Sequence, residues 1–446
     1  MSASPRTYPA PKGQFIWGQA TEFNRDQLRY AIMMARDFGD IVPIRLFTTR
    51  VVFFNRPELV EQILVTKQRS FIKSIAFRRL SEMTGNGLIT SDGDFWRRQH
   101  RLVQPGFHRE RVEGFAQAMV EQTTHLLGGW HDRETREIQA EMMRVTLEIV
   151  CRTMFGADVS GSSAEIGATF TEAIDAVNRR VSSVLMLVPR QVPFPHQLRI
   201  WRATRRLDRL VYGLIRDRKA SGGGSDLLAM LLEARDELNG ALSDREVRNE
   251  VMTIAFAGHE TTACALTWAW YLLAQHPEVE QRLHAELDAV LGGRPPTVAD
   301  LPHLTYTSQI VMETLRLYPP VWILVREAIE DVEIGDYTVR KGDVAMVSQW
   351  TIHRDRRQFE RPEAFEPERW ADGLVRRLPR FSYFPFGGGP RICLGNTFAQ
   401  MEATLVLASV AQQYRLRLVP VQSVEPLGGI TLRAKHGIRM TLHRRD

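Results

Sequence analysis

One long helix constrains the fold more than any other feature of this 446-residue sequence. Ser243-Asp244-Arg245-Glu246 is a capping box, and the apolar pattern that follows it meets no proline until Pro277. At 1.5 Å per residue, such a helix would be about 48 Å long, which is enough to cross a whole domain. The rest of the chain must therefore pack around it.

Apolar residues spaced three and four apart predict further helices on both sides of the long one. They are expected at 96–130, 135–156, 163–180, 198–220, 226–236, 278–291, 306–318 and 395–414. Two apolar runs from Ile41 to Phe54 predict a β-hairpin that leads into a helix near Pro57. Short strands are expected at 332–339, 344–348 and 430–432. Because no flexible linker divides the chain, we expect one mainly α domain spanning residues 1–446.

Composition limits the class of protein. Hydrophobic residues make up 44% of the chain and charged residues 25%, as in ordinary globular proteins. Residues 1–15 contain no apolar stretch, and no later segment reaches the roughly 18 apolar residues of a membrane span. We therefore expect a cytoplasmic protein with no membrane anchor. The net charge of +6 comes from scattered arginines without a nucleic-acid motif, which favours an acidic protein partner over nucleic acid.

The chain has three cysteines, Cys151, Cys264 and Cys393, an odd and widely separated set that argues against a disulfide framework. Cys393 ends a glycine-rich run that begins at Phe386 and precedes a predicted helix. A helix N-terminus stabilises a thiolate, which is the form of cysteine that binds iron. The glycines permit positive φ angles and close approach to a flat ligand, and Arg391 could bind a carboxylate in bidentate fashion. No Lys-Ser or Lys-Thr follows the glycines, which excludes a phosphate-binding loop, and a buried thiol beside a turn remains the alternative.

A second unusual run, Ala257-Gly258-His259-Glu260-Thr261-Thr262, lies in the middle of the long helix. Glycine inside a helix costs about 1 kcal/mol relative to alanine, so we expect Gly258 to make room for a ligand against the helix. The Thr261 hydroxyl can donate to the carbonyl of Ala257, and a carboxylate beside an alcohol can relay protons. A kinked helix with a polar face is the alternative. A zinc site is excluded because Ala263 stands where the second histidine would be.

Both runs resemble signatures of the cytochrome P450 family. The haem-ligand pattern Phe-x-x-Gly-x-Arg-x-Cys-x-Gly is matched at its fixed positions by Phe386, Gly389, Arg391, Cys393 and Gly395. Residues 257–262 match [Ala/Gly]-Gly-x-[Asp/Glu]-Thr-[Thr/Ser] throughout. The resemblance implies the family's mainly α fold, with haem b between the long helix and the helix after Cys393.

The same resemblance implies roles for these residues. Cys393 would bind the iron, Thr261 would serve oxygen activation, and Glu260 would relay protons from solvent. Phe386, Gly395 and Ala257 would contact the haem.

The family's structural network behind the haem is also matched. Glu313 and Arg316 lie three residues apart on one predicted helix, and Arg369 lies in Pro367-Glu368-Arg369-Trp370. The resemblance implies that these three residues form that network. Trp370 is a departure, because the family usually has phenylalanine there.

Haem propionates would be held by Trp96, His100, Arg326 and Arg391. The position of His100 is commonly arginine in the family, and the charge of a histidine varies near pH 6.5. For Trp96, His100 and Arg326, a solvated basic helix or strand end is the alternative.

The implied reaction inserts one atom of O2 into an unactivated C–H bond and releases the other as water. NAD(P)H would supply two electrons through a ferredoxin reductase and a ferredoxin, and no fused reductase domain is expected. Arg97, Arg98 and Arg101 could form a basic docking face for the ferredoxin. A peroxide-driven peroxygenase or isomerase of the same fold, or a haem-based gas sensor, is an alternative.

The pocket candidates are nearly all apolar, which predicts an apolar organic substrate. These candidates are Ile75, Phe77, Leu88, Phe256, Ala257, Val321, Ile323, Leu324 and Ile430. The stretches Leu80 to Thr90 and Leu315 to Arg326 resemble those of bacterial family members that act on carotenoids or fatty acids, which implies a carotenoid, a terpenoid or a fatty acid. The run from Val184 to Val188, with Leu185 and Leu187 in it, could form a mobile lid that contacts a membrane surface. Packing between two helices is the alternative.

Overall fold

The computed structural model describes residues 8–183, 188, 192, 194–236 and 240–445. Its chain divides into two compact units. The sheet unit comprises Met1–Phe77, Arg316–Ala364 and Asp372–Cys393, and the helical unit comprises Arg78–Leu315, Phe365–Ala371 and Leu394–Asp446. None of the helices among the described residues is long and apolar enough to span a membrane.

Helices predominate, which confirms the predicted mainly α class. In chain order they are α1 Ala20–Arg25, α2 Gln27–Met33, α3 Pro57–Glu61, α4 Ile75–Arg78, α5 Ser81–Thr84, α6 Gly93–Val103, α7 Arg109–Gly114, α8 Ala116–Gly128, α9 Ile138–Phe155, α10 Ser163–Val181, α11 Pro195–Ser221, α12 Leu227–Glu233, α13 Asp244–Gln275, α14 Pro277–Leu291, α15 Thr305–Leu317, α16 Gln349–Ile352, α17 Leu374–Arg377 and α18 Asn396–Gln413.

The strands are short and form small sheets. In chain order they are β1 Ile41–Leu46, β2 Thr49–Phe54, β3 Phe71–Lys73, β4 Thr135–Glu137, β5 Arg235–Asp236, β6 Gly240–Ala241, β7 Leu324–Ala328, β8 Val332–Ile334, β9 Tyr337–Val339, β10 Val344–Val347, β11 Tyr414–Leu418, β12 Pro426–Leu427, β13 Arg433–Ala434 and β14 Arg439–Arg444.

The sheet unit is built on one five-stranded sheet in the order β1-β2-β10-β7-β3. The predicted hairpin is confirmed, since β1 pairs antiparallel with β2 and Leu46 lies opposite Thr49. Strand β10 runs parallel to β2 and antiparallel to β7. Apolar side chains from this sheet pack with α3 and with Phe381 and Phe384, so the core of the unit lies directly under the segment that leads to Cys393.

The helical unit is organised around α13, as the sequence predicts. Ser243 caps its N-terminus, and the capping box with Glu246 is formed in both directions. The helix packs most extensively against α9, and its residues are buried almost continuously from Val247 to Trp270. The indole of Trp268, for example, donates to the carbonyl of Leu432 at 3.0 Å. A helix buried on every side can be apolar all round, which explains its weak amphipathic pattern.

Several boundaries differ from the sequence prediction. Residues 135–137 and 235–236, which were expected in helices, form β4 and β5. Residues 96–130 form three helices rather than one, because the turn Gln104–Phe107 contains Pro105 and Gly106. Residues 332–339 form a hairpin, β8 with β9, that turns at Gly335 with φ +60°. Residues 430–432 are not a strand, because the backbone N–H of Ile430 donates instead to the side chain of Asn178 at 2.9 Å.

Candidate functional site

The cysteine loop closes on itself within the sheet unit. The backbone N–H of Cys393 donates to the carbonyl of Phe386 at 3.0 Å, which joins the two ends of the predicted motif. Gly387 and Gly389 have φ angles of +71° and +68°, where a side chain would strain the backbone. The helix α18 begins three residues after Cys393, with Gly395 as its N-cap. The predicted arrangement of a glycine-rich turn before a helix N-terminus is therefore confirmed.

Close packing explains two of the glycines in a way that the sequence did not predict. A Cβ atom on Gly389 would lie 2.0 Å from the carbonyl oxygen of Leu64, and one on Gly388 would lie 2.2 Å from the ring of Phe381. These glycines therefore let the loop approach neighbouring protein segments. Gly387 is different, because its missing side chain meets only Leu324, at 3.7 Å. The structure thus places one pocket candidate, Leu324, beside the loop.

Cys393 is the exposed cysteine of the three, whereas Cys151 and Cys264 are buried. Burial raises the pKa of Cys151 to about 12 and raises that of Cys264 as well, so both remain neutral thiols. Among the described residues, no three His, Cys, Asp or Glu side chains form a group that could hold a metal ion. The exposed position of Cys393 before a helix N-terminus fits a thiolate ligand for the iron of haem, whose other ligands are porphyrin nitrogens.

The predicted pair Glu260 and Thr261 lies in the middle of α13. The Thr261 hydroxyl donates to the carbonyl of Ala257 at 2.7 Å, as expected, and the helix continues without a break. Ala257, Gly258 and Thr261 are partly exposed, although the residues before and after them on the helix are buried. The helix thus has an accessible patch at the position of the motif, which fits a flat ligand placed there.

The need for glycine at position 258 has a different cause from the predicted one. A Cβ atom on Gly258 would lie 2.8 Å from Cγ2 of Val150 on α9, which is closer than carbon atoms pack. The prediction that Gly258 makes room for a ligand is therefore wrong as stated, because it makes room for α9. His259 also turns away from the patch. Its ring packs at 4.9 Å from that of Phe170, and burial lowers its pKa to about 4.

Glu260 is fully buried and has partners that the sequence did not reveal. One carboxylate oxygen, Oε1, accepts a hydrogen bond from the Thr431 hydroxyl at 2.5 Å and lies 4.0 Å from Nε of Arg433. Arg433 in turn forms an ion pair with Asp175, whose side chain is 40% exposed. The other oxygen of Glu260, Oε2, has no hydrogen-bond partner among the described residues. A continuous polar path therefore leads from the surface at Asp175 to Glu260.

The pKa of Glu260 follows from this environment. Burial raises it above its ordinary value, and Arg433 and Thr431 offset only part of that effect. The carboxyl therefore holds its proton more tightly than an exposed glutamic acid does, and it has a cation nearby to stabilise its ionised form. Thr431, Arg433 and Asp175 lie far from Glu260 in the sequence, and no spacing rule relates them to it.

Glu313 is the centre of the next predicted cluster. Its buried carboxylate accepts from Nε of Arg369 at 3.2 Å, from the backbone N–H of Glu366 at 3.1 Å and from the indole of Trp370 at 2.9 Å. The structure thus brings Glu313 and Arg369 together and adds Trp370. Arg316, which is fully buried, donates to three backbone carbonyls of the sheet unit, those of His353, Pro362 and Ala364.

The candidates for the propionates lie on two elements and one loop. Trp96 and His100 share one face of α6, with their ring centroids 5.0 Å apart. Arg326 is on β7, opposite Lys73 of β3, and Arg391 is partly exposed in the cysteine loop.

The prediction that Arg98 belongs to the docking face is wrong. It is buried and pairs with Glu246 at 2.6 Å, so it cannot contact a partner protein. Arg97 remains exposed and pairs with Asp94, while Arg101 is also exposed. The sequence placed Arg98 with its neighbours because it did not reveal which face of α6 is buried.

The apolar pocket candidates are, with one exception, partly exposed. The partly exposed ones are Ile75, Phe77, Leu88, Ala257, Val321, Ile323, Leu324 and Ile430. Phe256 is buried and does not fit a lining role. Leu185 and Leu187 of the predicted lid lie outside the described residues.

A basic depression lies elsewhere in the helical unit, on the sheet of β11 and β14. It encloses about 480 Å³ and is lined by Arg415, Arg417, His443, Arg444 and Arg445. This lining does not suit an apolar substrate, and it includes no residue of the predicted site.

Comparison with known proteins identifies the family. The family model described as Cytochrome P450 matches residues 9–436. Cyclooctatin synthase of Streptomyces melanosporofaciens is 37% identical over 429 residues, which cover 95% of this chain and 93% of that protein. Cyclooctat-9-en-7-ol 5-monooxygenase of the same organism is 36% identical over 385 residues, covering 86% of this chain and 83% of that protein.

A solved structure agrees with this assignment. The cyanobacterial CYP120A1 with bound retinoic acid superposes with a TM-score of 0.88 at 26% identity, covering 99% of this chain and 100% of that one. The predicted fold is therefore confirmed. The chain belongs to the cytochrome P450 family and is an oxidoreductase of the monooxygenase type.

Proposed function

We propose that this cytochrome P450 hydroxylates an apolar terpenoid. One substrate C–H bond, O2, two electrons and two protons would give one C–OH group and water. The exposed Cys393, at the end of a closed glycine loop and before a helix, carries the proposal. When bound, haem b would supply the oxygen chemistry through its iron, and the sulfur ligand would push electron density toward that iron.

The residues proposed to hold the haem are those of the family pattern. Sγ of Cys393 would be the iron ligand. Trp96, His100, Arg326 and Arg391 would bind the propionates through N–H groups, and Phe386, Gly395 and Ala257 would contact the ring. The accessible patch at Ala257 and Thr261, on an otherwise buried helix, supports this placement.

Glu260 is proposed as the last acid of a proton path. Burial raises the pKa of its carboxyl and so favours the protonated form, while the adjacent cation Arg433 favours loss of that proton. Asp175, at the surface, pairs with Arg433 and so holds this cation beside Glu260. The Thr261 hydroxyl donates its proton to the carbonyl of Ala257. Its oxygen, Oγ1, is therefore able to accept a hydrogen bond from the group that carries the proton.

A terpenoid is proposed as the substrate, rather than a carotenoid or a fatty acid, because two relatives are named for reactions of cyclooctatin and cyclooctat-9-en-7-ol. Cyclooctatin synthase and Cyclooctat-9-en-7-ol 5-monooxygenase match nearly the whole chain. The partly exposed apolar candidates, Leu88 and Ile430 among them, support an apolar substrate.

The electron donors are proposed to be a ferredoxin and a ferredoxin reductase that uses NAD(P)H. Arg97 and Arg101 remain candidates for the docking face, since both are exposed. A cytoplasmic location, a peripheral contact with a membrane and the assignment of residues 1–446 to one domain also remain predictions.

The first experiment tests the haem ligand. The purified protein is reduced with dithionite under carbon monoxide, and the Soret band is recorded for the native chain and for Cys393→Ser. A strongly red-shifted band that disappears in the variant is expected. The matched control is Cys264→Ser, a buried cysteine that should leave the band unchanged. A histidine-type band in the native protein would overturn the proposal.

The second experiment tests the proton path. Glu260→Gln should reduce product formation at least tenfold with ferredoxin, reductase and NADPH, because an amide cannot release a proton. Glu402→Gln is the control, since Glu402 is equally buried but no cation in the described part of the chain acts on its pKa. Both variants should keep the native Soret band. Turnover that is faster with hydrogen peroxide alone would favour the peroxygenase alternative, and ligand-dependent spectra without any product would favour the gas sensor.

A further inference from the structure

A second buried acid, Glu250, lies on α13 two turns before the oxygen-activating motif. Its side chain is only 1% exposed. One oxygen, Oε2, accepts a hydrogen bond from the backbone N–H of Leu88 at 3.1 Å. The other oxygen, Oε1, has no hydrogen-bond partner among the described residues and does not reach solvent. A buried polar atom without a partner is costly, so this oxygen calls for a physical reason.

The carboxyl of Glu250 is mainly in its neutral form at pH 7. Burial raises its pKa to about 8, and the nearby Glu246 adds to that effect, while the hydrogen bond from Leu88 opposes it. Among the described residues, no cation lowers the pKa of Glu250. Arg98 pairs with Glu246, and Arg248 pairs with Asp208 at 2.5 Å. A neutral carboxyl carries one O–H donor and one carbonyl acceptor, so Glu250 can donate one hydrogen bond as well as accept others.

Helix geometry places Glu250 on the same line as the accessible patch. Ala257 and Thr261 follow it by seven and eleven residues, which is close to two and three full turns. Along the axis these residues lie roughly 10 and 16 Å from Glu250. Glu250 therefore stands at one end of a strip of α13 whose other end carries the predicted oxygen-activating residue.

The loop that covers Glu250 contains a pocket candidate. A Cβ atom on Gly87 would lie 2.2 Å from Oγ1 of Thr253, so this loop lies directly against α13. The next residue, Leu88, is partly exposed and is the one whose N–H binds Glu250. Glu250 is thus held beside an apolar side chain that the proposed substrate would touch.

We propose that Glu250 binds an oxygen atom of the substrate, so that this enzyme acts on an apolar molecule that already carries a hydroxyl or carbonyl group. The inference rests on the proposed function and adds a specificity-determining residue to it. The carboxyl O–H donates to the substrate oxygen, and Oε2 can accept from a substrate hydroxyl. An earlier oxygenation or hydration reaction must then supply the substrate. One relative is named for a reaction on an alcohol, cyclooctat-9-en-7-ol.

The test measures binding rather than turnover. Isothermal titration calorimetry on the haem-loaded protein compares matched pairs of a cyclic terpene alcohol and the hydrocarbon that lacks its hydroxyl, including cyclooctat-9-en-7-ol and its deoxy counterpart. The native protein should bind the alcohol about tenfold more tightly than the hydrocarbon, which corresponds to one hydrogen bond in a buried site.

Three variants separate recognition from structure. Glu250→Leu should abolish the preference for the alcohol. Glu250→Gln should keep it within about threefold, because an amide also donates and accepts. Glu402→Leu, the control at another buried acid, should leave the preference unchanged. A variant that only lost the hydrogen bond to the N–H of Leu88 would bind both ligands of a pair more weakly by the same factor. The ratio of the two dissociation constants is therefore the decisive quantity.

The outcomes are distinguishable. A native protein that binds alcohols and hydrocarbons equally, or a Glu250→Leu variant that keeps the preference, would overturn the role of Glu250 and leave the proposed function intact. A native protein that binds neither member of any pair would overturn the terpenoid proposal itself and the inference that rests on it.

Discussion

Trp370 gives the sharpest prediction about stability. Its indole N–H donates to Oε2 of the fully buried Glu313 at 2.9 Å, and the indole itself is buried. Two more of its described donors, Nε of Arg369 and the backbone N–H of Glu366, reach Oε1. Phenylalanine, the usual residue of the family here, has no donor. We therefore expect Trp370→Phe to destabilise the fold by more than the lost packing of the smaller side chain alone would.

The magnitude can be isolated with a matched control. Trp270 is also buried, but its indole N–H has no hydrogen-bond partner among the described residues. Trp270→Phe removes the same atoms, so the cost of the lost packing, about 1–2 kcal/mol, is common to both variants. Trp370→Phe also loses a hydrogen bond to a charged group, worth about 1.5–3 kcal/mol. Trp370→Phe should therefore be about 1.5–3 kcal/mol less stable than Trp270→Phe.

Urea unfolding at pH 7, followed by far-UV circular dichroism, measures this difference. A double-mutant cycle with Glu313→Gln should show a coupling of at least 1 kcal/mol between positions 313 and 370, since the amide is a weaker acceptor. Equal unfolding free energies for the two tryptophan variants would refute the reasoning, because they would mean that the indole N–H contributes nothing to holding the Glu313 carboxylate.

Two further predictions concern buried groups of the helical unit. Burial raises the pKa of Glu402 well above its ordinary value, so the folded state keeps a proton that the unfolded state releases above about pH 4.5. The free energy of unfolding should therefore fall as pH rises. Glu402→Gln should flatten this dependence, as measured by urea unfolding at pH 5 and pH 8. Gly258→Ala should lower stability by about 1–3 kcal/mol through its clash with Val150, and adding Val150→Ala should recover at least half of that loss in thermal unfolding.

Features that depend on neighbours along the chain were predicted correctly from the sequence. The capping box at Ser243 and the hydrogen bond from Thr261 to the carbonyl of Ala257 need only the geometry of one helix. The hairpin of β1 and β2 and the closure of the cysteine loop are equally local. In each case the interacting groups lie within about ten residues of each other, so spacing alone specifies the contact.

Features that depend on packing between distant segments could not be predicted. The reason for Gly258 is Val150, more than a hundred residues away, and burial of Arg98 depends on Glu246 of another helix. Thr431 and Arg433 reach Glu260 from a segment that the sequence suggested to be a strand. An isolated arginine after an apolar run carries no sign of its partner, so only the three-dimensional structure reveals it.

The buried acids of the helical unit show why a raised pKa does not by itself identify a functional group. Burial raises the pKa of Glu250, Glu260 and Glu402 alike, and each therefore costs stability at neutral pH. Their surroundings differ. Glu402 has no hydrogen-bond partner among the described residues. The Thr262 hydroxyl is near but not in hydrogen-bond geometry, and it lowers the pKa of Glu402 by less than burial raises it.

Only Glu260 of these three has an arginine beside it that is tied to a surface carboxylate. An acid that carries protons must be able to lose one and regain it, which requires that its ionised form be stabilised by a nearby positive charge. Glu402 lacks that charge and would hold its proton, while Glu250 meets a backbone N–H and can serve only as a neutral hydrogen-bonding group. The countercharge, rather than the depth of burial, therefore distinguishes the proposed proton carrier from an acid that recognises a ligand.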